Sequence, residues 1–391
     1  MSNLYKLSEL FNMQMGKTPA RNNSKYWDNG IYPWISISDF SNNGKFIKTT
    51  KEKITDMAVV ATGIKPISTG TVIMSFKLSI GKVAVVQTDE SKTYSNEAIM
   101  AFEIKKDLPA GIGLTNEYLY YLLSSIKFDN IGNKAVMGKT LNRGILENIK
   151  VTIHSFDKQK KIVAVLDKIT YLIDKQKQGI KKLDEIIKSR FVEMFGDPVN
   201  NTFGWEKFTL GNRCKIVTGN TPSRAKPENY GTYIEWIKSD NINTENTYIL
   251  KAKEYLSEMG FQKCRFVDKG SLLMTCIAGS INSIGNVAIT DRRVAFNQQI
   301  NAIVPNQDEV LYIYWLMLLS KPIVQGAINM ALKGILSKGQ LSEMKFPFPP
   351  LEQQKQFAEF VEKTDKSKFE VQKSLEKLEL LKKSLMQKYF G

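Results

Sequence analysis

Between Phe156 and Gly196, apolar residues stand at Leu166, Ile169, Ile173, Ile180, Leu183 and Ile187, with charged residues between them and one break at Gln176. A three-four spacing of this kind predicts a long helix with a coiled-coil seam. The pattern returns at Val361, Val371, Leu375, Leu378 and Leu385, with a more polar stretch near Thr364 and Lys368. Pro349 and Pro350 stand just ahead of it, where proline is tolerated at a helix start. At 1.5 Å per residue, a helix of roughly 40 residues spans about 60 Å. Upstream of each tail the period shortens. "STGTVIMSFKLSIGKVAVV" from Ser68 and "DKGSLLMTCIAGSINSIGNVAI" from Asp268 each read as strand, glycine turn, strand. "NEYLYYLLSSI" from Asn116 and "VLYIYWLMLLS" from Val310 have helical spacing, and the second is apolar enough to be a buried helix.

These pairings belong to one long repeat. "GKTPAR" at Gly16 leads into "YPWISISDF", and "GNTPSR" at Gly219 leads into "YIEWIKSDNI". "SNEAIMAFEI" matches "FNQQINAIVP". From Gly144 the offset is a constant 195, so that Leu146, Lys150, Gln159 and Lys160 fall on Leu341, Lys345, Gln354 and Lys355. A period this long signals duplicated domains, not a solenoid. The short link from Gly196 to Trp205 favours an antiparallel helix pair, with the end of the first helix beside the start of the second, and it also brings Met1 near Gly391. The expected fold is α+β: two similar globular domains joined by two long helices in an antiparallel coiled coil, with internal pseudo-two-fold symmetry. The expected divisions are 1–150, 151–196, 197–346 and 347–391.

Charge narrows the partner. The chain carries a formal +16, of which the two helical tails hold +6 and the domains the remaining +10. That excess on the domains points to a polyanion such as nucleic acid. No apolar run approaches the roughly 20 residues of a membrane span. Cys214, Cys264 and Cys276 are odd in number and form no C-x-x-C pair, which fits buried thiols in a reducing cytoplasm.

Catalytic patterns are sparse. His154 is the only histidine and its repeat partner is Pro349, so it reads as a solvent-facing linker residue. No zinc spacing, P-loop, dinucleotide-binding glycine pattern or Asn-Pro-Pro-aromatic methylation motif is present. Asp89 followed by Glu103 and Lys105 has a nuclease-like order but reads as a strand with its loop. Neither a catalytic residue nor a cofactor or metal is expected. Three classes stay open: a DNA-specificity scaffold, an unrecognised nuclease or methyltransferase fusion, and a basic coiled-coil adaptor.

"FPPLEQQKQFAEFVEK", its near-copy "HSFDKQKKIVAVLDK", the G-x-T-P turns and the W-I-x-x-S-D strands resemble type I restriction–modification specificity subunits over essentially the whole chain. The first tail departs from that pattern, with "HSFDKQ" where "PPLEQQ" is usual. The resemblance implies two target-recognition domains, each reading one half of a split double-stranded DNA target. It also implies two docked methyltransferase subunits, with restriction (motor-nuclease) subunits able to join. On that reading, residues that match between repeats hold the scaffold or phosphates. Pro19/Pro222, Trp34/Trp236, Asp39/Asp240 and Gly70/Gly270 are scaffold, and Arg21/Arg224 is the leading phosphate pair. Lys17 and Lys226 are further DNA-binding candidates. Base readers should differ between repeats. Lys77, Lys82, Asn96 and Glu97 are set against Asn282, Ser283, Asn297 and Gln298, since Asn and Gln suit adenine and Lys suits guanine.

Overall fold

The fold comes from a computed structural model that describes residues 4–77, 79–90, 92–128, 141–242, 246–328 and 334–391. It divides into two compact units, Met1–Lys175 with Ser374–Gly391, and Gln176–Lys373.

In the first unit a five-stranded sheet runs in the order Phe11–Met15, Ile99–Ile104, Val72–Ser75, Val83–Val86, Phe46–Ile47. Alternate residues of a strand face opposite sides. Val72 and Met74 accordingly join one core, with Tyr118, Leu119 and Leu122 of the helix Asn116–Ser125 and with Ile162 and Leu166 of the first long helix. Ile73 faces the other way, into a core with Ala84, Val86 and Ile99. A smaller sheet orders Glu52–Ile54, Tyr32–Ile35 and Tyr94–Ser95, and its core holds Trp34, Ile54 and Tyr94.

The second unit repeats the plan. Its main sheet runs Cys214–Thr218, Ile300–Pro305, Leu272–Thr275, Val287–Ile289. Leu272 and Met274 face the helix Val310–Leu319, while Leu273 faces a separate core. That helix is buried on every side, as its apolar sequence predicts. The small sheets also agree. Trp34 pairs in parallel with Tyr94, and Trp236 in parallel with Ala295.

The two long helices are Phe156–Phe195 and Leu351–Phe390. In the first unit the start of one and the end of the other share a core, Ile162 and Leu166 lying with Leu385, Met386, Tyr389 and Phe390. In the second unit Ile187, Phe191 and Phe195 meet Phe357, Ala358 and Val361, and the Phe191 and Phe357 rings lie 5.4 Å apart. The pairing is therefore antiparallel in each unit. Leu166, Ile169, Ile173, Ile187, Val361 and Leu375 are buried on the predicted seam, whereas Ile180, Leu183, Val371, Leu378 and Leu385 are half-buried. Polar contacts take part here, including Lys368 Nζ to Asp184 at 2.6 Å. Met1 lies outside the described residues, although Tyr5 packs on the core that Phe390 also joins.

Matched glutamines fasten each domain to its helix. Gln159 is fully buried and donates to the Gly113 and His154 carbonyls at 2.7 and 2.9 Å. Gln354, also fully buried, donates to Asp308 and the Pro349 carbonyl at 2.8 and 2.9 Å and accepts from the Glu309 N–H at 3.1 Å. Two sequence expectations change here. His154 is half-buried, not solvent-facing. The Tyr118 hydroxyl sits 2.9 Å from its Nδ1 and Phe390 lies edge-on, so burial, with Lys158 nearby, lowers its pKa. Cys214 and Cys276 are buried thiols, but Cys264 is only half-buried.

Candidate nucleic-acid interface

In each unit three segments converge: the G-x-T-P loop, the turn that follows Tyr94–Ser95 or Val294–Phe296, and a hairpin loop. Glycine is required because the loop presses on the turn. A Cβ on Gly16 would stand 2.1 Å from the Ser95 carbonyl oxygen, and one on Gly219 2.4 Å from that of Phe296. Backbone bonds lock the approach, from Lys17 N to Ser95 O at 2.9 Å and from Asn220 N to Phe296 O at 3.1 Å. The buried tryptophan closes the loop from beneath. Trp34 Nε1 donates to Lys17 O at 3.1 Å, and Trp236 Nε1 to Asn220 O at 3.4 Å. Both tryptophans are scaffold.

Arg21 and Arg224 occupy equivalent, half-exposed places. Arg21 forks onto Glu52 and lies 4.0 Å from the Trp27 ring and 4.7 Å from the Trp34 ring. Arg224 pairs with Glu254 at 2.8 Å and lies 4.9 Å from Tyr230 and 5.2 Å from Trp236. Lys238 and then Arg224 hold the Glu254 carboxyl below the usual carboxylate range against a smaller opposing effect of burial. Sequence reasoning found the arginines but not their partners. The signal was there, since Glu52 and Glu254 share the tryptophans' offset of 202.

The same offset corrects one match. Asp39 is buried, and its carboxylate accepts from the N–H groups of Ser36 and Lys51 at 2.7 and 3.0 Å. Its counterpart is Asn241, buried and accepting from Lys238 N at 3.0 Å, while Asp240 is exposed. An identical letter one place away had attracted the match.

The remaining candidates separate. Asn96 and Asn297 each cap their own turn, accepting from Ala98 N and Gln299 N at 3.1 Å. Asn297 is buried, with its amide on Gln299 as well, so both side chains form their turns. Lys17 Nζ is tied to the Thr62 carbonyl at 2.7 Å, and Lys77 lies 5.3 Å from the Phe76 ring. Lys82 Nζ donates to Ser41 at 2.8 Å. Hairpin register pairs Lys82 with Asn286, a residue outside the sequence candidates. Ser75 N bonds Lys82 O, and Thr275 N bonds Asn286 O, both at 2.9 Å. The second hairpin loop is longer, and its tip carries exposed Asn282 and half-buried Ser283. Lys321 Nζ steadies it, reaching Asn282 O at 2.7 Å and Asn286 Oδ1 at 2.6 Å. Lys226 is exposed beside the Pro227–Asn229 turn. Glu97 and Gln298 are exposed on equivalent turns, and each accepts a hydrogen bond from the threonine of its G-x-T-P loop, Thr18 and Thr221.

The family model described as the type I restriction modification DNA specificity domain matches residues 2–185 and 203–382, one copy on each repeat. The chain belongs to this specificity family. Among its relatives, the type I restriction enzyme MjaIX specificity subunit of Methanocaldococcus jannaschii is 26% identical over 56% of this chain and 53% of its own length. The HindI specificity subunit of Haemophilus influenzae is 31% identical over 27% of this chain and 22% of its own. The chain thus spans about half the length of the first relative in that match. The type I S subunit from M. genitalium superposes with a TM-score of 0.54 at 14% identity, covering 99% of this chain and 96% of that one, which is a likeness of fold. Among the described residues of this specificity-family chain, no group of three His, Cys, Asp or Glu is placed to hold a metal ion. No helix among them is long and apolar enough to cross a membrane.

Proposed function

We propose that this chain is the sequence-reading subunit of a type I restriction–modification complex. Its two domains, 1–150 and 197–346, each read one half of a split double-stranded DNA target. The helices 151–196 and 347–391 separate those domains and offer two equivalent docking surfaces for methyltransferase subunits, to which restriction subunits can be added. The chain chooses the site and its partners do the chemistry.

One observation carries this reading. The same loop, turn and tryptophan lattice is built twice with closely matched hydrogen bonds, yet the exposed side chains it presents differ. A duplicated scaffold with divergent heads suits two readings of one kind of polymer. The arginines fit the non-specific part of that task. Glu52 takes two of the five donors of Arg21, leaving N–H groups for a phosphate, a contact that positions without specifying.

The test is the methylated motif in a host carrying the gene with its methyltransferase partner. A split motif is expected. Exchanging Trp205–Lys345 for another specificity domain should rewrite one half-site and leave the other. A motif that is unsplit, or rewritten in both halves by the exchange, would sink the reading.

A further inference from the structure

Glu97 and Gln298 are each held by a threonine of the facing loop. The two side chains stand on turns with the same architecture. Asn96 N and Asn297 N bond to Ile35 O and Ile237 O at 3.0 Å each, and the two asparagine side chains cap the following N–H. The facing loops are pinned by glycines that tolerate no Cβ. On this fixed frame the Thr18 hydroxyl donates to Glu97 Oε2 and the Thr221 hydroxyl donates to Gln298 Oε1. Each threonine therefore engages one oxygen of its neighbour, and the chemistry left for a ligand is opposite in the two units. Glu97 retains Oε1, which can only accept. Gln298 retains Nε2, which can only donate.

We propose that Glu97 and Gln298 are base-reading heads of opposite sense, each aimed by its threonine. Glu97 takes a base edge that presents an amino group, cytosine N4 or adenine N6. Gln298 takes an edge that presents an acceptor, guanine O6 or N7, thymine O4 or adenine N7. The charge of the carboxylate narrows the choice further. An exposed glutamate facing a polyanion is repelled unless an amino donor meets it, so this residue favours few bases and rejects the rest. The threonine bond orients the head before DNA arrives, which lowers the ordering cost of binding. Thr18 and Thr221 are positioning residues that need not touch the base. The proposal rests on the DNA-reading role given above.

The experiment uses the full chain with its methyltransferase partner, reading the methylated motif and measuring binding of the purified complex to duplexes varied one base pair at a time. Glu97→Gln should change the preferred base at one position of one half-site, with roughly tenfold loss of the original preference, and Gln298→Glu should do the same in the other half-site. Thr18→Val should keep that preferred base but weaken its preference several-fold, and Thr18→Ser should restore it. An unchanged motif with full methylation for both head variants overturns this proposal and leaves the two-reader reading standing. So does an equal loss of binding across all duplexes. A single head substitution that alters both half-sites overturns the two-reader reading itself.

Discussion

Gln159 and Gln354 occupy the same place in the repeat, yet removing them should not cost the same. Gln354 makes three hydrogen bonds, one to the carboxylate of Asp308, which is 7% exposed. Replacing Gln354 with leucine keeps the volume but strands the Glu309 N–H and the Pro349 carbonyl and takes a donor from Asp308. A buried polar group left without its partner costs about 1–3 kcal/mol, and the added apolar surface returns about 1–2 kcal/mol. Two stranded backbone groups at about 2 kcal/mol each and about 1 kcal/mol for Asp308, which keeps Arg213, less the apolar return, give an expected loss of about 3–4 kcal/mol. Gln159 makes two bonds, to carbonyls of the partly buried residues Gly113 and His154, and its own Oε1 has no partner. Leucine there removes an unsatisfied atom, so the expected loss is about 1–2 kcal/mol. Urea unfolding followed by hydrogen exchange on peptides of each unit reads the two losses separately. The difference should be about 2 kcal/mol and should appear in the unit that carries the change. Equal losses, or a larger one for Gln159→Leu, would refute the reasoning from hydrogen-bond satisfaction.

Other substitutions follow from single observations. Gly179 lies mid-helix with Val371 Cγ1 3.9 Å from where a Cβ would sit, so Gly179→Ala should stabilise by about 1 kcal/mol, read as a rise in Tm. Gly219→Ala should destabilise the second unit in the same assay, because its Cβ would meet two carbonyl oxygens within 2.4 Å. Arg21→Ala and Arg224→Ala should weaken binding to specific and random DNA alike, with a salt slope smaller by about one; altered base preference instead would remove them from the phosphate class. Burial pushes the Cys214 and Cys276 thiols up to about 12 and raises Cys264 as well, so access decides, and at pH 8 native alkylation should label the half-exposed Cys264 alone. Because those two thiols are raised above their unfolded values, the stability they contribute is whole below about pH 9 and is lost as pH climbs toward 12. Replacing both with alanine should flatten that part of the urea midpoint curve.

The helices and the duplication were legible because seam spacing is local and the tails carry no insertions, which keeps an offset of 195 from Gly144 onward. The loops carry insertions, and there letters mislead. Asp240 drew the match that belongs to Asn241, and Asn286, the register partner of Lys82, was passed over. The turn-forming bonds of Asn96 and Asn297 could not be read from spelling, because turn formers and adenine readers are drawn from the same residue types. The pairing of Thr18 with Glu97 and of Thr221 with Gln298 was out of reach for another reason. Its members lie 79 and 77 residues apart, and only the folded sheet brings them together. Hydrogen-bond register, not spelling, assigns equivalence in this chain.

The first unit is discontinuous, since Ser374–Gly391 completes what Met1–Lys175 begins, whereas Gln176–Lys373 is one unbroken stretch. On the ribosome this reverses the order suggested by the numbering. The second unit has all its residues in hand first, while the earlier-made sheet waits for Leu385, Met386, Tyr389 and Phe390 to emerge and cover Ile162 and Leu166. During that wait a greasy strip stands open to solvent and to chaperones. A translational pause or premature stop after residue 373 therefore leaves the later-numbered half sound and the earlier-numbered half unsealed, so quality control of a nascent chain would sense damage far from the site of the lesion.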